Sequence, residues 1–433
     1  MKRSSDRLLT THAGSLPRPA DVAEMVRARG AGRDEAADAA RLREAVAEVV
    51  RKQADIGIDV VDDGEYGKPS FVTYVRDRLD GIDQIAGVRH SPWGESRDAK
   101  AFPDFYSKQV VAASNQPNFG CVGPLRYKGR ALLERDLDNL RAAVDAAGVA
   151  EAFVPSISPA NIESWNVNKY YASDEEYRTA ICDAMHEEYK AITDAGFILQ
   201  IDDPRLVTYY MVRPDLSLSE IRAWAERQVE ALNYALRGIP REKIRYHTCY
   251  SINMGPRLHD MQAKDIIDIV LKIRAGAFSF EASNPRHEHE WTVWRDARKP
   301  ADTILIPGVV THCSVLVEHE ELVAERLVKF ANFAGRENII AGTDCGFATF
   351  AGADEIEPSI AWAKLEALVR GAEIASGRLR PVKKVAGKAK KAPARKKAPA
   401  KRAVARTAVK AKSRAKAPAK KAPAKKARAK RRR

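Results

Sequence analysis

The chain has 433 residues, 73 of them Lys or Arg and 58 Asp or Glu, for a formal charge of +15. The excess sits at one end: residues 381–433 carry 24 Lys/Arg and no acid, so residues 1–380 hold 49 bases against 58 acids, a net of −9. No apolar run reaches the roughly 18–20 residues of a membrane span, the opening MKRSSDRLLTT lacks a signal-peptide core, and five scattered cysteines make no disulfide framework, which argues for a cytoplasmic protein without membrane contact.

A body of about 380 residues accommodates one large α/β barrel or two ordinary domains. Along it, short β-branched runs alternate with stretches of helical period. Strands are predicted at residues 8–13, 58–62, 153–157, 197–201, 244–248, 277–280, 303–309 and 338–342. The first long helix, 34–55, puts Leu42, Ala45, Val46, Val49 and Val50 on one face. Residues 81–145 exceed what one connection needs and read as an insertion with a hairpin at 110–127. A helix opening at Ser173, with Glu176 at capping-box spacing, turns Tyr177, Ile181, Met185 and Ile192 inward and stops at Gly196. Eight strand–helix units predict a (β/α)8 TIM barrel over residues 1–380.

Residues 381–433 repeat Ala-Lys-Lys-Ala-Pro-Ala with variations. Proline interrupts helices and only scattered Val could contribute to a core, so a disordered, extended tail is predicted. It resembles the tails of linker histones and bacterial histone-like proteins. Nonspecific nucleic-acid contact through counterion release is the partner this composition implies, since no aromatic residue is present to stack on bases. A solubilising extension without a partner is the plainer alternative.

Functional groups in such barrels gather where strands end. Here the endings are GSLPRP, DDGEYG, SPANIESW, IDDPR, HTCY, EASN, THCS and GTDCGF, nearly all polar or reactive. His247 and Cys249 are one residue apart on a predicted strand and share a face. Glu281 and Cys345 end later strands, and all four converge at one mouth. Two thiolates, an imidazole and a carboxylate suit Zn²⁺, and ligands drawn from separate strands fit a catalytic rather than a closed structural site.

The motifs THAGSLPRP, DDGEYG, QIDDP, HTC, FEAS and GTDCGF occur in the order seen in cobalamin-independent methionine synthase, and residues 8–375 resemble its C-terminal catalytic barrel. The resemblance implies a barrel of the uroporphyrinogen decarboxylase/methionine synthase type. It also implies a zinc ion on His247, Cys249, Glu281 and Cys345, and methyl transfer to a small-molecule thiol such as homocysteine. The donor would be methyltetrahydrofolate or a methylcorrinoid, because this chain resembles short, single-barrel members. In the same resemblance Ser15 contacts the substrate carboxylate, Glu65 and Asp202 pair with its ammonium, and Trp165 stands beside the pterin of the donor. The family's proton-donating histidine aligns with Cys313, one residue beyond His312; His312 acts as general acid if it moves into that position. His186, His287, His289 and His319 are assigned no chemistry, with His186 solvated and His287 and His289 at the mouth or surface.

Two other readings share these features. A zinc-dependent thiol alkyltransferase of the epoxyalkane:coenzyme M type has the same barrel and metal motif, but its sulfonate thiol calls for cations where Glu65 and Asp202 stand. A nucleic-acid-associated protein could use the barrel as a scaffold for the basic tail. Deleting residues 381–433 separates enzyme from tail: activity is expected to survive while DNA retention, steeply weakened by added salt, disappears. Salt-sensitive retention by the truncated protein would remove the tail from consideration.

Overall fold

A computed structural model describes residues 1–28, 33–89, 91–113, 116–251, 254–353 and 356–379. By contacts the chain divides into Met1–Pro381 and Val382–Arg433; the second unit, with the expected basic tail, lies outside the described residues. Among the described residues no helix is long and apolar enough to cross a membrane.

Eleven strands are described: β1 (Leu9–Thr10), β2 (Val60–Val61), β3 (Leu79–Arg89), β4 (Gln116–Tyr127), β5 (Glu151–Ile157), β6 (Val167–Asn168), β7 (Ile198–Asp202), β8 (Ile244–Thr248), β9 (Ala277–Glu281), β10 (Ile304–Val310) and β11 (Ile340–Thr343). Eight of them form one sheet in the order β1-β11-β10-β9-β8-β7-β5-β2, every pair parallel. The two ends of this sheet meet: Asp59 N–H donates to the Thr10 carbonyl at 3.1 Å and the Thr11 hydroxyl to the Val60 carbonyl at 2.9 Å. The fold is therefore a (β/α)8 barrel, built from all eight strands expected from sequence.

Differences lie in the details. The strand expected at 8–13 is confined to Leu9–Thr10, with Thr11 N–H donating to the Ala341 carbonyl at 2.8 Å, while the Thr11 and His12 side chains turn to other partners. That expected at 338–342 starts at Ile340, because Arg336–Asn338 form a 3₁₀ turn. The excursion from the barrel is the antiparallel pair β3–β4, extended by β6, rather than a hairpin at 110–127. Residues Pro103–Ala113 are helical: two adjacent valines carry no period of their own, and Pro103 opens the helix, where a missing N–H costs nothing. The excursion closes at Tyr127, and Arg130–Ala147 is an amphipathic helix that buries Leu133, Leu137 and Leu140. The 81–145 stretch read as an insertion thus contains a regular barrel helix.

Local signals set the long helices. Asp34 caps Glu35–Ile56 by accepting from Ala36 and Ala37 N–H, and Gly57 ends it at φ 96°. Ser173 caps Asp174–Asp194 by accepting from Glu176 N–H, and Gly196 follows at φ 90°. The main core packs these helices on the outer faces of the strands. Inside the barrel, Val60, Phe153 and Ile198 form one small cluster and Ala277, Ile304, Ile306 and Ile340 another, both reached by Met1.

Arg78 anchors the excursion where it leaves the barrel. Its buried guanidinium donates to Glu188 at 3.1 Å and to Asp136 at 2.6 Å, from two different helices. Tyr74 and Tyr127 hydroxyls also donate to Glu188, at 2.7 and 2.8 Å. Burial alone would raise the Glu188 carboxyl, but Arg78, Tyr74 and Ser156 hold it below the usual range. Arg78→Met leaves buried Glu188 without its cation, while Asp136 keeps Arg135 at 2.7 Å, and should destabilise the barrel by about 3 kcal/mol, read from the urea midpoint. An unchanged midpoint would show that the excursion is anchored elsewhere.

Candidate metal centre and substrate cavity

Alternation along each strand turns every second residue into the barrel. On β7 the inward series is Ile198, Gln200, Asp202; on β8 it is Arg245, His247 and then Cys249; on β9 it is Ala277, Ser279, Glu281. The register pairs Asp202 with His247 and His247 with Ser279. On β7 and β9 apolar side chains at the amino ends thus give way to ionisable ones at the carboxyl ends, while β8 is ionisable throughout.

Three of these rim residues meet. Cys249 Sγ and Cys345 Sγ are 3.1 Å apart, and both lie within 4.8 Å of a ring nitrogen of His247. His247 Nδ1 is 3.0 Å from the Ser279 hydroxyl, while its Nε2 is buried with no hydrogen-bond partner among the described residues. A buried, unmatched nitrogen beside two sulfurs is what a metal ligand looks like without its ion. Burial, with Arg245 adding to it, lowers the His247 pKa to about 3 and keeps the ring in the neutral form that coordinates. The contact with Cys249, then burial, pushes the Cys345 thiol well above its ordinary range.

The triad opens into a cleft whose empty space, about 410 Å³, includes its opening to solvent, and which is lined also by Ser15, Glu65, Phe71, Asp202, Pro204, Ser251, Gly346 and Thr349. The loop DDGEYG after β2 delivers Glu65 in left-handed backbone, φ 58°, directly after Gly64 at φ 65°. Asp62 and Asp63 accept from Gly64 and Glu65 N–H at 2.8 and 2.9 Å, and Arg18 donates to the Glu65 carbonyl at 2.7 Å and the Ala348 carbonyl at 2.8 Å. These bonds hold a conformation that a non-glycine residue avoids unless its surroundings require it. Lys68 Nζ sits 3.4 Å from Glu65 on one side, donating at 2.6 Å to the Pro155 carbonyl. Asp202 accepts from Gln200 at 2.7 Å, yet burial and then the charge of Glu65 raise its pKa well above the ordinary value. Two carboxylates facing one cavity, with one of them reluctant to ionise, make a receptor for a cationic group. Gly346 is required by close approach: a Cβ there would overlap the Ser15 hydroxyl, and Phe347 N–H donates to the Ser15 carbonyl at 2.9 Å.

Other expected residues lie differently. Glu281 is buried beside the triad without joining it; its oxygens accept from Tyr250 N–H at 2.6 Å, Asn284 Nδ2 at 2.8 Å and Arg257 Nη1 at 3.3 Å. Burial alone would raise Glu281, and the Arg257 guanidinium, with His312 and His287, instead brings it to about 2. Trp165 ends the helix Pro159–Trp165 and packs against the core without lining the cavity. His312 is fully buried, 3.2 Å from the Ser251 carbonyl, and burial lowers its pKa to about 4; it too does not line the cavity. His287, expected at the mouth or surface, is buried between Asp260 (3.1 Å) and Glu290 (2.9 Å) and stacks on Tyr250 at 3.6 Å. His289 is exposed, His186 is half-buried and bonded to the Ala235 carbonyl, and His319 caps the helix Glu320–Ala334.

The family described as "Cobalamin-independent synthase, Catalytic domain" matches residues 8–95 and 158–367. The chain belongs to this family. Its relatives include the methionine synthase of Thermococcus kodakarensis, 26% identical over 373 residues and covering 85% of this chain and 93% of its own. That of Sulfolobus acidocaldarius is 25% identical over 343 residues, covering 78% and 85%. A solved structure of a B12-independent methionine synthase from Shewanella sp. W3-18-1, in complex with selenomethionine, shares the fold at TM-score 0.66 and 20% identity, covering 86% of this chain and 99% of its own. The family match spans every strand end that lines the cavity. Not anticipated from sequence were Arg257, Lys68 and the close contact of Gly346 with Ser15; only Gly346, inside GTDCGF, lay in a motif that drew notice.

His287 gives this region a pH signature. Burial alone would lower its pKa, but its bonds to Asp260 and Glu290 outweigh that and raise it to about 9. Its stabilising charge is complete below the unfolded value of about 6.5 and is lost as pH rises through about 9. The melting temperature of the wild type should fall across that window, and His287→Gln should flatten the fall; a variant with the wild-type slope would place the titration elsewhere.

Proposed function

We propose that the barrel is a zinc-dependent S-methyltransferase that moves a methyl group to the thiol of homocysteine, giving methionine. The observation that carries this reading is the convergence of His247, Cys249 and Cys345 on the same cavity as Ser15, Glu65 and Asp202. A borderline-soft donor set of one imidazole and two sulfurs, with a carboxylate beside it, fits zinc, and His247, Cys249, Cys345 and Glu281 would be its protein ligands. Zinc bound there would stabilise the substrate's thiolate at neutral pH.

The chain's own groups do the rest. Ser15 offers its hydroxyl to the amino acid's carboxylate. Glu65, neutralised on one flank by Lys68, and Asp202 take the ammonium, and the arriving cation supplies the charge that lets buried Asp202 ionise. Binding at both ends points the thiol toward the triad and holds it in line for displacement at the methyl carbon. The same carboxylates argue against a sulfonate-bearing thiol, which would meet two anions. Relatives named methionine synthase support homocysteine as the acceptor, and methyltetrahydrofolate and a methylcorrinoid are the two donors to test. His312 can supply a proton to the leaving group only after breaking its bond to Ser251, and Trp165 contacts the donor only if that donor extends beyond the cavity.

The test pairs metal analysis of the purified protein with transfer from methyltetrahydrofolate and from methylcobalamin. Wild type should hold one zinc per chain and methylate homocysteine from one of the donors, while Cys345→Ser loses both properties. Zinc-loaded wild type that methylates homocysteine from neither donor would overturn the assignment. Asp202→Asn should raise KM for homocysteine by about 10- to 100-fold and leave binding of an amine-free thiol unchanged; an equal effect on both would remove Asp202 from the ammonium site.

A further inference from the structure

The excursion returns to the barrel rim through two adjacent side chains. Ser96 caps the short helix Arg97–Ala101 by accepting from Ala99 N–H at 3.0 Å, and from its first turn Arg97 and Asp98 reach different loops. Arg97 donates to the Tyr210, Arg213 and Leu216 carbonyls at 2.8, 3.2 and 2.6 Å, so it holds the end of the helix Arg205–Val212 and the segment after it. Asp98 is wholly buried. Its carboxylate accepts from Leu258 and His259 N–H at 3.2 and 3.0 Å, with His259 Nδ1 2.6 Å away. A buried carboxyl group needs such partners, and all of these come from one stretch of the loop after β8.

That loop begins with Cys249. Within it Arg257 adopts left-handed backbone, φ 55°, without being glycine. A left-handed residue can turn successive N–H groups toward one side, where a single anion receives them, and Asp98 fills that place. Arg286, from the loop after β9, donates to the Arg257 and Leu258 carbonyls at 3.1 Å each. The strained turn is thus gripped on its N–H edge by the excursion and on its carbonyl edge by the next loop. Upstream in the same loop, Ser251 at φ 73° lines the cavity. The groups assigned to the acceptor's amino-acid end, Ser15, Glu65 and Asp202, follow β1 and β2 or end β7. A shift of the loop after β8 therefore alters the wall beside the triad without touching that cradle.

We propose that Asp98 is a positioning residue of the site: through its carboxylate the excursion fixes the loop after β8 and so sets the wall that Ser251 presents to the bound thiol. Its effect on turnover rests on the methyltransferase reading above, whereas its hold on the loop does not.

The test compares the full, zinc-loaded chain of wild type with Asp98→Ala and Asp98→Asn. Hydrogen exchange followed by mass spectrometry should show the amides of residues 254–262 opening at least about tenfold faster in Asp98→Ala, with residues 62–68 unchanged. Asp98→Asn, whose amide oxygen still accepts an N–H, should fall between. Both variants should keep the wild-type zinc content, because Cys249 follows directly on β8. Turnover, counted per chain that binds homocysteine in equilibrium dialysis, should fall at least about tenfold in Asp98→Ala with KM for homocysteine within about threefold of wild type. Asp98→Asn should recover part of that loss. An aspartate that only stabilised the fold would lower the melting temperature and leave turnover per binding chain alone. Wild-type exchange of residues 254–262 in Asp98→Ala, or faster exchange with unchanged turnover per binding chain, overturns the proposal; if Asp98→Ala does not fold, the same two outcomes in Asp98→Asn decide it. Absence of methyl transfer by zinc-loaded wild type would instead overturn the methyltransferase reading and the catalytic consequence with it, leaving the exchange result to decide the hold on the loop.

Discussion

The site depends on one geometric constraint. In a closed parallel barrel all strands run the same way, so the last inward residue of each arrives at the same rim. Asp202, His247 and Glu281 are neighbours because β7, β8 and β9 are in register, although 45 and 34 residues of chain separate them. Cys345 arrives from β11 on the other side, just past the strand's end. No local segment could gather these donors.

Burying so much charge at one rim needs matching partners, and the structure supplies them in layers. Arg245 spans the interior below the site, donating to the Thr11 hydroxyl and the His12 carbonyl at 3.0 and 2.6 Å and lying 3.8 Å from the Phe153 ring centroid. Asp344 accepts from Ala282 and Ser283 N–H at 2.8 and 3.1 Å and so fixes the turn that follows Glu281. Lys68 and Arg18 tie the first two loops together around Glu65. The carboxylates left with least compensation, such as Asp202, face the cavity. A fully satisfied rim would have no electrostatic demand left for a ligand to meet.

The fold and half of the site were legible in the sequence for different reasons. Most barrel strands announced themselves as short β-branched runs ending in polar residues, Ala277–Glu281 with its two phenylalanines being an exception, and β8 was placed at its observed bounds because Ile244–Thr248 lies between a turn and a reactive pair. The excursion was misread because two adjacent valines, Val110 and Val111, have no period and sit in a helix. Registering His247, Cys249 and Cys345 as one group required only strand alternation and a barrel. Glu281 satisfies the same rule, but its contact with Arg257 could not be read, since Arg257 lies in an irregular loop whose path no periodicity describes.

Sequence alone determined the architecture and the inventory of chemistry at its rim, because hydrophobic period and strand-end polarity are local properties that closure of the barrel then brings together. Only the tertiary structure decided which donors share an ion-sized space, which carboxylate is claimed by a cation, and that His312 and Trp165 stand outside the cavity. Those outcomes turn on separations of a few ångströms between side chains from distant strands and loops, and at that scale a competing hydrogen bond or ion pair outweighs position in the chain.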